Sequence, residues 1–287
     1  MYRNETIIRR AEQSRAEQSK DLTIQIIRAL CIIAVVLIHT FPSGLPQLFI
    51  RPFINFAVGS FIFLSGYLTK EDTWNKGKMW KRIRRVLFSY IIWTSVYSMP
   101  NPHRFLINLV TASSAPQMYY VLVYIQLVLL TTLCLKMLKR RNGALLMIIS
   151  PLSFLVKYIQ TFGGISLPGF INTIYGISFL PWIWYYIFGM IMQKLGDKKL
   201  RVRPVIMMLA ISICLQMLEG FAWYKAGDSN CGTQMKITSL ITTSLACLIW
   251  REMIICNHNP KLRGKNRYQF LVTIGNYSFG IYLSHIV

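Results

Sequence analysis

The chain has 287 residues, of which 54% are hydrophobic and 15% charged, with 32 Lys and Arg against 10 Asp and Glu for a net charge of +22. The apolar share exceeds that of a soluble domain, and the charges cluster between runs that approach or pass the ~18–20 residues a helix needs to cross a bilayer. A soluble globular class is thereby excluded, and the runs are continuous rather than alternating, which argues against a β-barrel. The composition points to an all-α fold, a polytopic transmembrane helix bundle. Six cysteines are present, and only Cys231 falls in a polar loop, so no disulfide framework is implied. No CxxC or Cys/His cluster suggests a metal.

Residues 1–20 form a polar tail with a tandem RAEQS, Arg10–Ser14 and Arg15–Ser19. The run that follows lacks a small-residue cleavage site and reads as a first span rather than a signal peptide. Nine spans are predicted in chain order: 22–41, 52–69, 86–100, 118–136, 143–160, 172–193, 204–223, 236–256 and 269–287. With the N-terminus placed in the cytoplasm, 27 of the 32 Lys and Arg fall on the inner side, and only Arg51, Arg104, Lys157, Lys225 and Lys236 fall outside. This bias predicts a multi-pass protein of the inner or plasma membrane with a cytoplasmic N-terminus. It also accounts for the net charge without a nucleic-acid partner. The last run stops in mid-span, so the membrane domain, 21–287, is read as C-terminally truncated.

Charged side chains inside a span are costly and single out candidate sites. In "IIRALCIIAVVLIHTFP", Arg28 and His39 are eleven positions apart, about 20° beyond three helical turns and roughly 16 Å along the axis, hence on one face. Arg28 alone fits a snorkelling anchor and His39 alone an interfacial histidine. Together they suggest a polar face with His39 as acid and base. "FIFLSGYL" places Ser65 and Gly66 in a bulky run, as close helix packing requires. "WKRIRRVLFSYIIW" sets Arg82 and Arg85 one turn apart at the cytoplasmic mouth, where two guanidiniums can hold phosphates. "APQMYYVLVYIQLVLL" carries Tyr119, Tyr120 and Tyr124 at its outer end and Gln126 deeper, where the amide needs a partner. Glu219 lies at a depth similar to His39, and a Glu219–His39 pair is one hypothesis. In "IGNYSFGIYLSH", Ser278, Tyr282 and His285 share a face, as a polar packing stripe or a binding surface.

The ordered set "RALCIIAVVLIH", "FIFLSGYL", "RIRRVLFSYIIW", "MYYVLVYIQLVLL", "WYYIFGM" and "IGNYSFGIYLSH" resembles the acyltransferase 3 family of integral membrane acyltransferases over nearly the whole chain. The resemblance implies a bundle of about ten transmembrane helices. It also implies transfer of an acyl group, often acetyl from acetyl-CoA, to a hydroxyl of a surface polysaccharide, lipid or related acceptor. By position it implies catalytic roles for His39 and Arg28, and a CoA-side role for Arg82 and Arg85. Glu219, Gln126, Ser278, Tyr282 and His285 complete the candidate substrate-binding set. The expected cofactor is acetyl-CoA as donor substrate, with no metal, and the expected partners are the acyl-CoA donor, a glycan or glycolipid acceptor and the lipid bilayer. Ser89 departs from the family, which often has proline there, and the family continues beyond the "YLSH" element. The alternative from another class is a transporter or flippase of lipid-linked sugars, favoured by internal symmetry that the sequence lacks. A purely structural membrane subunit fits the in-span charges poorly.

Overall fold

A computed structural model describes residues 22–140, 142–256 and 268–286. The tandem repeat of the tail, Arg141 and the basic stretch 261–267 lie outside these residues. The described residues form helices and contain no strand. The helices are α1 (Leu22–Thr40), α2 (Leu45–Ile54), α3 (Phe56–Tyr67), α4 (Lys76–Ser98), α5 (Phe105–Thr111), α6 (Tyr119–Lys139) and α7 (Ile149–Gly163). They continue with α8 (Gly169–Gly176), α9 (Ile183–Lys194), α10 (Val202–Lys225), α11 (Ile237–Cys256), α12 (Gln269–Asn276) and α13 (Ser278–Ser284).

Among the described residues six segments are long and apolar enough to cross a membrane, not the nine expected: Leu22–Thr40, Leu45–Tyr67, Tyr119–Lys139, Gly143–Gly163, Val202–Lys225 and Ile237–Cys256. Each of the other three has a local reason. The run 86–100 is the second half of α4, whose first ten residues carry Lys76, Lys78, Lys81, Arg82, Arg84 and Arg85. The run 172–193 is broken between α8 and α9 by a turn containing Pro181, which cannot continue the α8 ladder. The run 269–287 is broken at Tyr277, where the backbone leaves the helical region after Gly275 and Asn276. The span expected at 52–69 starts earlier, at Leu45, and bends at Asn55, whose amide donates to the Gly232 carbonyl at 3.1 Å.

The centre of the bundle is α3, wedged between α9 and α11. Its apolar residues run all round the helix rather than along one stripe, as a fully surrounded helix requires. Small residues allow the approach. Gly66 lies against the Tyr186 backbone of α9, Gly189 of α9 against the Phe63 and Tyr67 backbone, and Gly59 against Thr243 and Tyr185. The packing role expected of Gly66 is therefore seen in the structure. Outside this core, α10 exposes Ile206, Met207, Ile211, Leu215 and Leu218, and α7 exposes Leu152, Leu155 and Ile159. Such faces suit hydrocarbon.

The basic segments converge at one end. Glu71 pairs with Lys194 at 2.9 Å, and the Trp74 indole donates to Thr132 at 3.4 Å. Arg251 donates to the carbonyls of Gly196 and Lys198 at 2.6 and 2.9 Å. These contacts gather the C-terminal ends of α3, α6, α9 and α11 with the N-terminus of α4. Arg251, counted above among the inner-side charges, is fully buried and also paired with Glu252, so its task here is to clamp the α9–α10 turn.

Candidate active site

Helix α1 runs without a break from Leu22 to Thr40, so the helical phase that puts Arg28 and His39 on one face holds. Arg28 lines a cavity of about 690 Å³ near the basic end. His39, eleven residues later, stands at the bundle surface in the last turn of α1.

The cavity is walled by α1, α3, α4, α6 and α13. Among the described residues five cations line it, Arg28, Lys78, Lys81, Arg82 and Arg85, and no carboxylate does. Four of them lie on α4 at spacings of three, four and seven residues, one stripe of a helix. Asn75 caps that helix by accepting from the Lys78 amide at 2.8 Å, so the positive end of the helix dipole lies at the same mouth. Arg82 is held in place: it donates to Thr69 Oγ1 at 2.8 Å and to the Leu68 carbonyl at 3.3 Å, and it sits over the Trp74 ring at 5.0 Å. Arg85, one turn further in, lines the cavity without a protein hydrogen bond among the described residues. The floor is Phe61, Leu64 and Val86, with Ser65, Tyr120, Tyr124, Ser278 and Tyr282 as polar groups. The arrangement suits a ligand with several phosphates at one end and a slender, less polar arm at the other.

Ser278 and Tyr282 line the cavity, and His285 follows at the C-cap of α13. A hydrogen-bond network fastens this helix to α4 and α6. Tyr282 Oη donates to the Gln117 carbonyl, Gln117 Nε2 donates to Tyr97 Oη at 3.0 Å, and Tyr97 Oη donates to the Leu283 carbonyl at 2.7 Å. His285 Nδ1 lies 2.9 Å from the Tyr282 carbonyl. A carbonyl only accepts, so Nδ1 is the donor in this bond. Nε2 is buried and has no hydrogen-bond partner among the described residues. The ring centroids of His39 and His285 are 5.1 Å apart. A continuous file of rings thus leads from the cavity to His39: Tyr120 to Tyr282 at 5.1 Å, Tyr282 to His285 at 6.0 Å, and His285 to His39.

Two candidate residues lie elsewhere. Gln126 reaches the break between α8 and α9, where its Nε2 donates to the Ile177 carbonyl at 2.8 Å and its Oε1 accepts from the Phe179 amide at 3.0 Å. Both ends of its amide serve backbone groups that the break would leave unpaired. Gln126→Leu is therefore expected to cost about 2 kcal/mol of stability, as buried unsatisfied groups do. It should lower the thermal unfolding temperature in detergent, and an unchanged temperature would count against this role. Glu219 does not pair with His39. Its carboxylate accepts from Tyr158 Oη and from the Thr238 amide and hydroxyl, which ties α10 to α7 and α11.

Lys78, Lys81, Ser65, Tyr120 and Tyr124 join the cavity without having been singled out as site residues. The stripe Lys78, Lys81, Arg82, Arg85 was readable from helical phase. The tyrosines looked like a membrane-interface belt, and Ser65 like packing. No signal in the sequence marks the His39–His285 contact, because helical phase does not say which helices become neighbours.

A family model described as an acyltransferase domain matches residues 21–287. No curated protein and no solved structure matches the chain.

Proposed function

The chain belongs to the acyltransferase 3 family, and on that premise we propose that it is a multi-pass membrane O-acyltransferase that moves acetyl from acetyl-CoA to a hydroxyl of a cell-surface polysaccharide or glycolipid. The observation that carries this reading is the five-cation cavity joined by a file of rings to His39. The phosphates of CoA suit the arginines and lysines of the mouth, and Arg28 sits where a pantetheine arm enters the bundle. The axial distance from Arg28 to His39, roughly 16 Å, matches the reach of such an arm. The positive-inside bias puts this mouth in the cytoplasm, where CoA is found, and His39 toward the opposite face of the inner or plasma membrane.

In this mechanism the acceptor hydroxyl gives its proton to the unprotonated nitrogen of His39 as the oxygen attacks the thioester carbonyl carbon. The C–S bond breaks, the ester forms, and His39 returns the proton to the departing CoA sulfur. His285 holds the His39 ring from behind and is a positioning residue. Arg28, beside Tyr120, fixes the donor arm.

Arg85→Gln is the cleanest test of the donor end, since that side chain has no described hydrogen bond to lose. We expect the KM for acetyl-CoA to rise roughly tenfold or more, the worth of one charge-assisted bond to phosphate, with kcat little changed. Dephospho-CoA thioesters should show a smaller difference between the two proteins if the 3′-phosphate is the contact. Equal KM values would remove Arg85 from the donor site. The reading as a whole is tested by mass spectrometry of surface glycan from cells with and without the gene: loss of O-acetyl on deletion is expected, and an unaltered acetyl pattern with no acetyl-CoA turnover by the purified chain would refute it.

A further inference from the structure

A second cavity, of about 560 Å³, shares no lining residue with the first, and the loop after α10 that walls it is bonded to the segment after α1, where the Gly44 amide donates to the Ser229 carbonyl at 3.3 Å. Arg51, Lys157, Tyr175, Trp223 and Asp228 are among its lining groups. These residues come from α2, α7, α8, α10 and the loop after α10, so the cavity is walled by elements distant in sequence. Most of its polar groups are already engaged. Asp228 accepts from Thr161 Oγ1 at 2.9 Å and from the Asn230 amide at 2.8 Å. The Asn172 amide accepts from Gln160 at 2.8 Å and donates to the Leu167 carbonyl at 3.1 Å. Thr173 donates to the Gly169 carbonyl at 3.0 Å.

Arg51 differs. Its Nε and Nη1 are buried and have no hydrogen-bond partner among the described residues. A guanidinium with unmet donors in a buried setting is costly, and an anion bound in the cavity beside it offsets part of that cost through its charge. Lys157 adds a second positive charge, held over the Tyr175 ring at 5.7 Å. Among the described residues the one lining carboxylate is Asp228, already engaged by Thr161 and Asn230.

Resting on the acyltransferase reading, we propose that this cavity is the acceptor site and that the acceptor is an acidic glycan, its carboxylate or phosphate bound by Arg51 and Lys157. The test uses the full chain in lipid nanodiscs and equilibrium binding of fluorescent probes. Three are compared: an oligosaccharide of alternating glucuronic acid and N-acetylglucosamine, the same oligosaccharide with its carboxyls reduced to alcohols, and a phosphorylated oligosaccharide of similar length. Tighter binding of the first or of the third assigns the anion as carboxylate or phosphate, and either supports the proposal. The reduced probe should bind at least about tenfold more weakly than the better acidic one, and Arg51→Gln should remove most of that difference. Arg51→Lys, which keeps the charge without the fork, should recover part of it. Lys157→Gln, on a separate helix, should give a second and smaller loss. The proposal is overturned if the neutral probe binds as well as both acidic ones, if no probe binds the wild type, or if Arg51→Gln leaves acidic affinity unchanged. Acetyl-CoA binding is titrated in parallel. Its absence alongside acidic-glycan binding defeats the acyltransferase reading alone, and the reverse pattern defeats this proposal alone.

Discussion

Replacing His39 by alanine is expected to abolish acyl transfer while leaving the protein in the membrane. The His39 ring stands at the bundle surface in the last turn of α1, and its ring contact is with His285. Alanine is a good helix former, and nothing in the core depends on the imidazole. The fully buried residues of α1, Ile27, Ala29, Cys31 and Ile32, lie well below His39 along the helix, and the buried Val35 and Ile38 near it keep their own side chains in the variant. Folding should therefore survive, and the loss should be chemical. Removing a positioned acid and base costs roughly 10²–10⁴-fold in rate. The loss should appear in kcat, with acetyl-CoA affinity close to wild type, because the cations that hold the donor lie at the other end of α1. Matched amounts of membrane-inserted protein, assayed for labelled acetyl transfer and for donor binding, check both halves. Full transfer by His39→Ala would move the proton-handling group elsewhere.

Gly189→Val is expected to fail one step earlier, at assembly. A β-carbon at 189 would lie 2.7 Å from the Tyr67 backbone nitrogen and still closer to the Phe63 carbonyl oxygen. These are backbone atoms of α3 and cannot rotate away as a side chain would. The two helices must separate, and the contact of Gly66 with the Tyr186 backbone must open with them. Overpacking of this kind costs on the order of 3 kcal/mol, a large share of a typical folding free energy. Activity should fall too, because α3 carries Leu64 and Ser65 into the cationic cavity. Gly169→Ala is the matched control, since its added carbon meets nothing within 4 Å. Yield of monodisperse protein and thermal unfolding in detergent report the difference. A Gly189→Val protein that unfolds at the wild-type temperature would contradict the close approach.

What the sequence made legible follows one rule: features internal to a single unbroken helix were readable, and contacts between helices were not. Arg28 and His39 share a face because α1 is straight over their eleven residues. Arg82 and Arg85 share the mouth because α4 is continuous through its basic half. The Ser278, Tyr282 and His285 stripe survives because the break at Tyr277 precedes it. Glu219 was matched to His39 on depth alone, and depth carries no information on azimuth. Its partners Tyr158 and Thr238 come from the helices that happen to face it. The count of nine spans treated 172–193 and 269–287 as continuous because they are apolar, yet turn residues divide both. Gln126, whose need for a partner was evident, found it in the backbone exposed by one of those divisions.

Tyr119 and Tyr120 are consecutive at the start of α6, yet Tyr119 lines the second cavity and Tyr120 the first. The first turn of α6 thus forms part of the wall between the two cavities. In the proposed reaction neither the nucleotide carrier nor the glycan has to leave its own side, and only a two-carbon fragment changes compartments. On that proposal the bundle would act as a bulkhead with a transfer port, passing the acyl cargo while each carrier stays on its own side.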